Sequence, residues 1–311
     1  MTEDFNTSFE KRVSYAESTI KEFLPKEEGR QKTVIEAMNY SVLAGGKRIR
    51  PVIMKEAFEM FGGQNENKIK PFMAAIEMIH TYSLVHDDLP AMDNDEYRRG
   101  RKTTHAVYGA GMATLAGDGL LNYAFETALK SANVRNELSD EERAEYTERC
   151  FKALDILGNK AGIYGMVGGQ CVDVEAEGKK VPADELIFIH ENKTAAMIES
   201  SLLIGACMAG ASDDDMKNIE KAGSNIGIAF QIQDDILDVI GDTKVLGKAV
   251  GSDEKNEKST YVTIYGMDKS KKDVEELSNE AIDILEDIMK KNQKEDKFLV
   301  DLVKWMIYRE K

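Results

Sequence analysis

Apolar residues recur at three- and four-residue spacing along nearly the whole chain, while the strict alternation of a half-buried strand is almost absent. That pattern predicts an all-α protein. With 311 residues and 42% hydrophobic content there is ample material for a large core, and only 5 prolines beside 31% charged residues exclude a Pro-rich disordered or fibrous chain. No Gly/Ser/Pro linker divides the sequence and no long period repeats, so residues 1–311 are expected to form one helical domain rather than a solenoid or two units. A net charge of -15 gives no electrostatic basis for binding nucleic acid, and an anionic ligand must be held by a local basic cluster or by metal ions. The 3 cysteines, Cys150, Cys171 and Cys207, lack paired spacing and fit a reducing compartment. Residues 1–10 lack the basic start and apolar run of a signal peptide, and no apolar stretch is long enough to span a bilayer. The expected location is cytoplasmic.

Val34, Met38 and Val42 mark an amphipathic helix that stops at Gly45-Gly46, and Pro51 opens the next one. A helix from about Pro71 to Asp87 and Asp88 ends before Pro90, because the residue preceding a proline disfavours helical geometry. Further helices are expected near residues 111–132, 140–157 and 162–174, and one that begins at Pro182, breaks near Lys193 and resumes through Ser201 to Ala209. Residues 223–240 are the most apolar and are expected to be central, whereas 273–290 and 295–308 are more charged and peripheral. Segments 88–104 and 241–260 are long loops, which in a compact domain are usually functional.

Each long loop follows an apolar helix that ends in aspartates. The first cluster reads His86-Asp87-Asp88-Leu89-Pro90-Ala91-Met92-Asp93, and the second Gln231-Ile232-Gln233-Asp234-Asp235-Ile236-Leu237-Asp238. At about 100° per residue, Gly227, Gln231, Asp234 and Asp238 share one stripe, and neighbouring carboxylates there repel unless cations intervene. A single acidic triplet is ordinarily a solvated helix end. Helix C-termini disfavour acids, however, and two such clusters in apolar surroundings call for another account. All-oxygen donors without His or Cys suit a hard ion, Mg²⁺ rather than zinc, and Mg²⁺ commonly joins protein carboxylates to substrate phosphates.

The cations are placed to match. Lys47, Arg48 and Arg50 lie on one helix-to-helix loop, Arg98-Arg99 follow the first acidic cluster, Lys193-Thr194 interrupt a helix, and Lys248 and Lys258 flank a glycine-containing loop. In an acidic chain most lysines are solvated surface, and Lys248 or Lys258 alone would be read so. Arg50 and Arg99 are stronger candidates because guanidinium forks match phosphate geometry. His80, inside an apolar helix, is as readily a core histidine as a phosphate contact.

These signatures in this order resemble the trans-isoprenyl diphosphate synthase (polyprenyl synthetase) family, most closely its bacterial farnesyl diphosphate synthases. The resemblance rests on Gly46-Lys47-Arg48-Ile49-Arg50-Pro51, the motif Asp87 to Asp93 with Arg98-Arg99-Gly100, and Gly168-Gly169-Gln170 with Asp173. It continues through Lys193-Thr194, Phe230-Gln231, Asp234-Asp235-Ile236-Leu237-Asp238, Gly247-Lys248, Gly251, Asp253 and Lys258 to Tyr261. The tail from Tyr308 to Lys311 resembles the family's basic end, with Arg309 as a candidate for closing the site.

The resemblance implies a terpenoid-synthase helical bundle around a deep cavity, a homodimer, and three Mg²⁺ ions. It implies that Asp87, Asp88, Asp93, Asp234, Asp235 and Asp238 contact metal directly or through water. Arg98, Lys193, Gln231 and Lys248 would hold an allylic diphosphate, and Lys47, Arg50, His80 and Arg99 isopentenyl diphosphate, with Thr194 and Lys258 in weaker supporting positions. The implied activity is head-to-tail addition of isopentenyl diphosphate to dimethylallyl or geranyl diphosphate. By the same resemblance a bulky Tyr82, five positions before Asp87, with Ser83 beside it, would stop the product at farnesyl; a geranylgeranyl synthase is the alternative, since ordinary core packing also explains a buried tyrosine. A terpene cyclase is disfavoured by the all-aspartate second motif and by the basic loop, which a cyclase does not need, and a head-to-head synthase lacks that loop. A non-catalytic regulatory partner would be expected to have lost carboxylates, and none is missing here.

Overall fold

The computed structural model describes residues 3–240 and 259–307. Its helices are α1 (Glu3–Phe23), α2 (Lys32–Val42), α3 (Ile49–Met60), α4 (Lys70–Asp87), α5 (Thr104–Tyr108), α6 (Ala110–Leu129) and α7 (Asp140–Ala161). They continue as α8 (Met166–Ala176), α9 (Ala183–Ile189), α10 (Ala196–Ala209), α11 (Asp213–Ile240), α12 (Tyr261–Tyr265), α13 (Met267–Lys291) and α14 (Phe298–Ile307). A wide π turn, His190–Ala195, joins α9 to α10, at the break expected near Lys193. Among the described residues the only strands are β1 (Tyr97–Arg98) and β2 (Arg101–Lys102), a short antiparallel hairpin inside the first long loop. The described residues are all-α apart from this hairpin.

The core is built around α4 and α10. α4 carries Pro71 in its first turn, where a missing N–H breaks no hydrogen bond, and is buried without interruption from Pro71 to Ile79. α10 is buried from Ala196 to Met208 and packs against α3, α7 and α11. This differs from the expected central position of residues 223–240. α11 starts earlier, with Asp213, Asp214 and Asp215 favourably placed in its first turn, and is amphipathic, ending in exposed Val239 and Ile240. It packs on α10, α13 and the π turn. The first helix, α1, precedes every helix expected from the sequence. It is joined to α14 by stacked Phe5 and Phe298, with Trp305 5.1 Å from the Phe9 ring.

Two close approaches set the geometry around the π turn. A Cβ on Gly169 of α8 would fall 2.3 Å from the backbone N of Lys193, and one on Gly227 of α11 would fall 2.3 Å from Cα of Ala195. Only glycine permits both helices to press their backbones against this turn. Lys193 is thereby held between α8 and the helix that carries the second acidic motif.

The loop between α2 and α3 is pinned by a buried ion pair. Arg48, left-handed at φ 49, donates from Nη1 to Glu77 Oε1 of α4 at 2.7 Å and from Nη2 to the Val42 carbonyl at 2.7 Å. Both charged side chains are only 3% exposed, so each depends on the other for its burial. Arg48, central in the basic run, therefore points inward towards α4, while Lys47 is exposed.

Candidate active site

A cavity of about 790 Å³ runs beneath the end of α4. Its walls come from α4 (Tyr82, Ser83, His86, Asp87), α6 (Thr114), α8 (Met166, Val167, Gln170, Val174) and the π turn (Lys193, Thr194). The lining is mainly apolar, with polar groups gathered near Asp87. A second pocket, about 530 Å³, is lined by Gly46, Lys47, Arg50, Glu77, His80 and Arg99. Arg50 and His80 line both spaces, so the basic pocket and the apolar cavity share a wall.

The acidic end is built by local backbone geometry. Asp87 and Asp88 end α4, and the chain then turns back so that the Asp93 N–H donates to the Asp87 carbonyl at 2.8 Å. Asp93 is exposed on that turn. Gln170 Nε2 donates to Asp87 Oδ1 at 3.1 Å. Burial pushes the Asp87 carboxyl up to about 6, with Asp93 and Asp88 adding to the rise while Lys193 and Arg98 oppose it. Asp88 is also raised by burial, although Arg98 donates to its Oδ1 from Nε at 2.7 Å and from Nη2 at 2.6 Å.

The hairpin sends adjacent arginines to different places. Arg99 and Gly100 occupy its turn with φ 53 and 75, the positive-φ geometry that suits a tight two-residue turn between twisted strands. Arg98 consequently reaches the acidic end, while Arg99 donates to the Gly45 carbonyl and lines the basic pocket. Burial depresses the Arg50 guanidinium, with Arg99 adding to the effect and Glu77 opposing it, and Arg50 Nε is buried with no hydrogen-bond partner. His80 is pushed well below the usual imidazole range by burial and then by Arg50 and Arg99, and so is neutral. The pocket is a concentration of cations with spare donors.

Lys193 Nζ lies 2.6 Å from Asp173 Oδ2 and its charge acts on Asp87. Thr194 follows it on the cavity wall. On α11, Gln231, Asp234 and Asp238 are half-buried. Asp235 is committed elsewhere in part: its Oδ2 accepts the Tyr261 N–H at 2.6 Å and lies 3.8 Å from His190 Nε2. His190 is buried and pushed down to about 4 by that burial, with Asp173 opposing. The π turn thus bears on both acidic regions, on Asp87 through the charge of Lys193 and on Asp235 through His190. Tyr82 is buried, its hydroxyl has no hydrogen-bond partner, and burial followed by Asp87 raises it to about 12. Ser83 beside it donates to the His80 carbonyl at 2.9 Å.

Lys248 and Lys258, with Gly247, Gly251, Asp253 and the tail from Tyr308 to Lys311, lie outside the described residues. Gln170 and Asp173 enter the site although the sequence singles them out only as motif positions. Their signal was there: on one helix, i and i+3 face the same side. Glu77 and His190 carried no comparable signal, since each sits within a buried helical stretch.

A family model described as polyprenyl synthetase matches residues 31–303. The chain is 42% identical over 272 residues to a geranylgeranyl diphosphate synthase of Cyanophora paradoxa, covering 87% of this chain and 86% of that protein. It is 41% identical over 279 residues to the farnesyl diphosphate synthase of Escherichia coli, covering 89% and 90%. Among solved structures, an FPP/GFPP synthase from Zymomonas mobilis superposes with a TM-score of 0.81 at 28% identity, covering 99% of this chain and 100% of that one. With the two acidic helices, the basic pocket and the shared wall now placed, these matches give one conclusion: the chain belongs to the polyprenyl synthetase family.

Proposed function

We propose that the protein is a short-chain trans-prenyltransferase that adds isopentenyl diphosphate head-to-tail to dimethylallyl and geranyl diphosphate and releases farnesyl diphosphate. The observation that carries this reading is the wall of Arg50 and His80 shared by an apolar cavity headed by Asp87 and a basic pocket with unspent donors. One substrate's hydrocarbon chain fits the first space and the other's diphosphate fits the second.

The donor set is suited to Mg²⁺. Mg²⁺ takes one or two protein carboxylates and completes its shell with substrate phosphates and water, which suits these all-oxygen acidic motifs. Asp87, Asp88 and Asp93 on one side, and Asp234, Asp235 and Asp238 on the other, are proposed to hold three such ions directly or through water. Asp235, already accepting from Tyr261, suits a water-mediated role. When bound, Mg²⁺ supplies Lewis-acid stabilisation of the departing pyrophosphate.

The chain's own residues do the rest. Lys193, Arg98, Gln231 and Lys248 are assigned to the allylic diphosphate, where cations stabilise the charge that grows as the carbon–oxygen bond breaks. Lys47, Arg50, Arg99 and neutral His80 are assigned to isopentenyl diphosphate, fixing its double bond against the allylic cation. The new carbon–carbon bond forms, and a proton then leaves to released pyrophosphate, restoring the alkene. Apolar walls from Met166, Val167 and Val174 exclude water from the cation. Thr194 and Lys258 are assigned supporting contacts.

The reading extends to organisation. One contiguous hydrophobic core supports a single domain over residues 1–311. Exposed Leu115 and Leu129 on α6, Phe151 on α7, and Ile163 with Tyr164 beyond it support the homodimer implied by the resemblance; light scattering that returns a monomer mass would remove it. All three cysteines are free, which suits the cytoplasmic location proposed here, and among the described residues no helix is long and apolar enough to cross a membrane.

Product length follows from Tyr82. Its ring lines the cavity on the α4 wall, five residues before Asp87, about 7 Å along the helix axis. Chromatography of dephosphorylated products is expected to show farnesol from the wild type and a shift to twenty carbons or more in Tyr82→Ala. A wild-type product of twenty carbons would favour the geranylgeranyl alternative; an active Tyr82→Ala enzyme that still stops at farnesyl would move the stop elsewhere.

Asp87 supplies a test independent of product. Its carboxyl rises from 3.8 to about 6 on folding, so both states are protonated below about 4, the cost of burying the charge builds up as pH rises from about 4 to 6, and it is constant above. In metal-free protein at pH 7, Asp87→Asn should therefore add up to about 3 kcal/mol of stability, while with Mg²⁺ supplied its turnover should fall about a hundredfold or more. The gain should shrink as pH falls from 6 towards 4. A pH-independent change in melting temperature would contradict this account of the site.

A further inference from the structure

The C-terminal end of α2 gathers three arginines. Arg48 Nη2 donates to the Val42 carbonyl at 2.7 Å, Arg101 Nη1 to the Leu43 carbonyl at 3.2 Å, and Arg99 Nη1 to the Gly45 carbonyl just beyond. The first two are carbonyls that a helix end leaves without intrahelical partners, at the negative end of its dipole. Arg99 and Arg101 come from the β1–β2 hairpin, and Tyr40, in the last turn of α2, grips that hairpin directly. Its hydroxyl donates to the Lys102 carbonyl at 2.7 Å, and the centre of its ring lies 4.6 Å from Cζ of Arg101. Tyr108 of α5 meets the same ring edge-on at 5.6 Å, and Ser41 Oγ lies 2.7 Å from Thr104 Oγ1. We propose that Tyr40 is a positioning residue: by fixing the hairpin to the end of α2, it holds the Arg99 guanidinium at the basic pocket for the diphosphate of isopentenyl diphosphate. This inference rests on the proposed use of that pocket.

The hairpin has little of its own to hold it. Its strands are two residues long and every residue from Tyr97 to Lys102 except Arg98 is exposed, and an isolated two-stranded hairpin is marginal in water. Arg98 brings its own anchor, through Nε and Nη2 on Asp88 at 2.7 and 2.6 Å. Arg99 sits in the turn at φ 53, where its place depends on the strand that leaves the turn. That strand, β2, is the one Tyr40 grips. The fit at the pocket is close: Gly46 has φ 138, and a Cβ there would fall 2.5 Å from Arg99 Nη1. With the hairpin loose, Arg99 would have to be ordered when the diphosphate arrives, and that ordering weakens binding.

Initial rates of pyrophosphate release are measured with Mg²⁺, each substrate being varied in turn against a saturating level of the other. Tyr40→Leu, which loses the hydroxyl and the ring, is expected to raise KM for isopentenyl diphosphate about three- to tenfold. The KM for geranyl diphosphate should stay near that of wild type, because Arg98 keeps its bonds to Asp88. Tyr40→Phe keeps the packing and loses only the bond to Lys102, and is expected to show the same pattern at about twofold, so the test stands even if Tyr40→Leu folds poorly. The decisive comparison is a double-mutant cycle with Arg99→Met. If Tyr40 acts through Arg99, either Tyr40 substitution should add little to the KM for isopentenyl diphosphate once Arg99 is gone.

Fold-changes that multiply in the double variants would overturn the proposal, since Tyr40 would then act by some other route. An equal rise in KM for both substrates would show a general packing defect and overturn it too. Arg99→Met alone separates the two levels of the argument. If that variant keeps the wild-type KM for isopentenyl diphosphate, the pocket is misassigned and both readings fall. If it raises that KM while neither Tyr40 variant does, the pocket stands and only the role of Tyr40 falls.

Discussion

Burial of carboxylates at the end of an apolar helix is the constraint from which the rest of the site follows. The C-terminus of α4 presents unsatisfied carbonyls and the negative end of the helix dipole, and the chain places Asp87 and Asp88 there. Burial alone pushes Asp87 upward, and its acidic neighbours push further. Folding tolerates this because cations approach from three directions: Arg98 from the hairpin, Lys193 from the π turn and, in the proposed mechanism, metal from solvent. The hairpin, the π turn and the glycines that admit α8 and α11 against it can all be understood as means of delivering positive charge to that point.

The opposite imbalance lies across the shared wall. Burial depresses both Arg50 and Arg99, with Arg99 adding to the effect on Arg50 and Arg48 and Arg98 adding to that on Arg99; His80 is left neutral, and Glu77 is already committed to Arg48. A pocket of this kind is complete only when an anion enters. In the proposed mechanism, charge deficits of opposite sign on either side of Arg50 and His80 would give the two diphosphate substrates a fixed relative orientation.

Much of this was legible in the sequence, for identifiable reasons. α4 could be read because an apolar run flanked by Pro71 and Pro90 has few alternatives, and the break near Lys193 because Asn192-Lys193-Thr194 interrupts an otherwise apolar helix. Other features depend on partners far away in the chain. α1 has Phe5, Phe9, Val13, Ala16 and Ile20 at helical spacing, yet its many charges conceal the stripe until α4, α3 and α14 cover it. α10 is in fact the more apolar of the two, and the Glu199, Ser200 and Ser201 that interrupt its apolar run are all buried, Glu199 against Lys160. The inward turn of Arg48 was hidden for the same reason: only the fold brings Glu77 to it. Among the site residues, the aspartates, Arg50, Arg99 and Lys193 were visible as residue types in a pattern. The separate destinations of Arg98 and Arg99 required the hairpin.

The central claim is that opposite charge deficits bring two diphosphates together and that metal bound at the carboxylates enables the first bond to break. Pyrophosphate release by the isolated protein, measured with geranyl diphosphate, isopentenyl diphosphate and Mg²⁺ added singly and together, tests it most directly. The account predicts rapid release only with all three present, arrest by EDTA, and recovery when Mg²⁺ is restored. Release that continues unchanged in EDTA, or that runs equally fast from geranyl diphosphate without isopentenyl diphosphate, would contradict it.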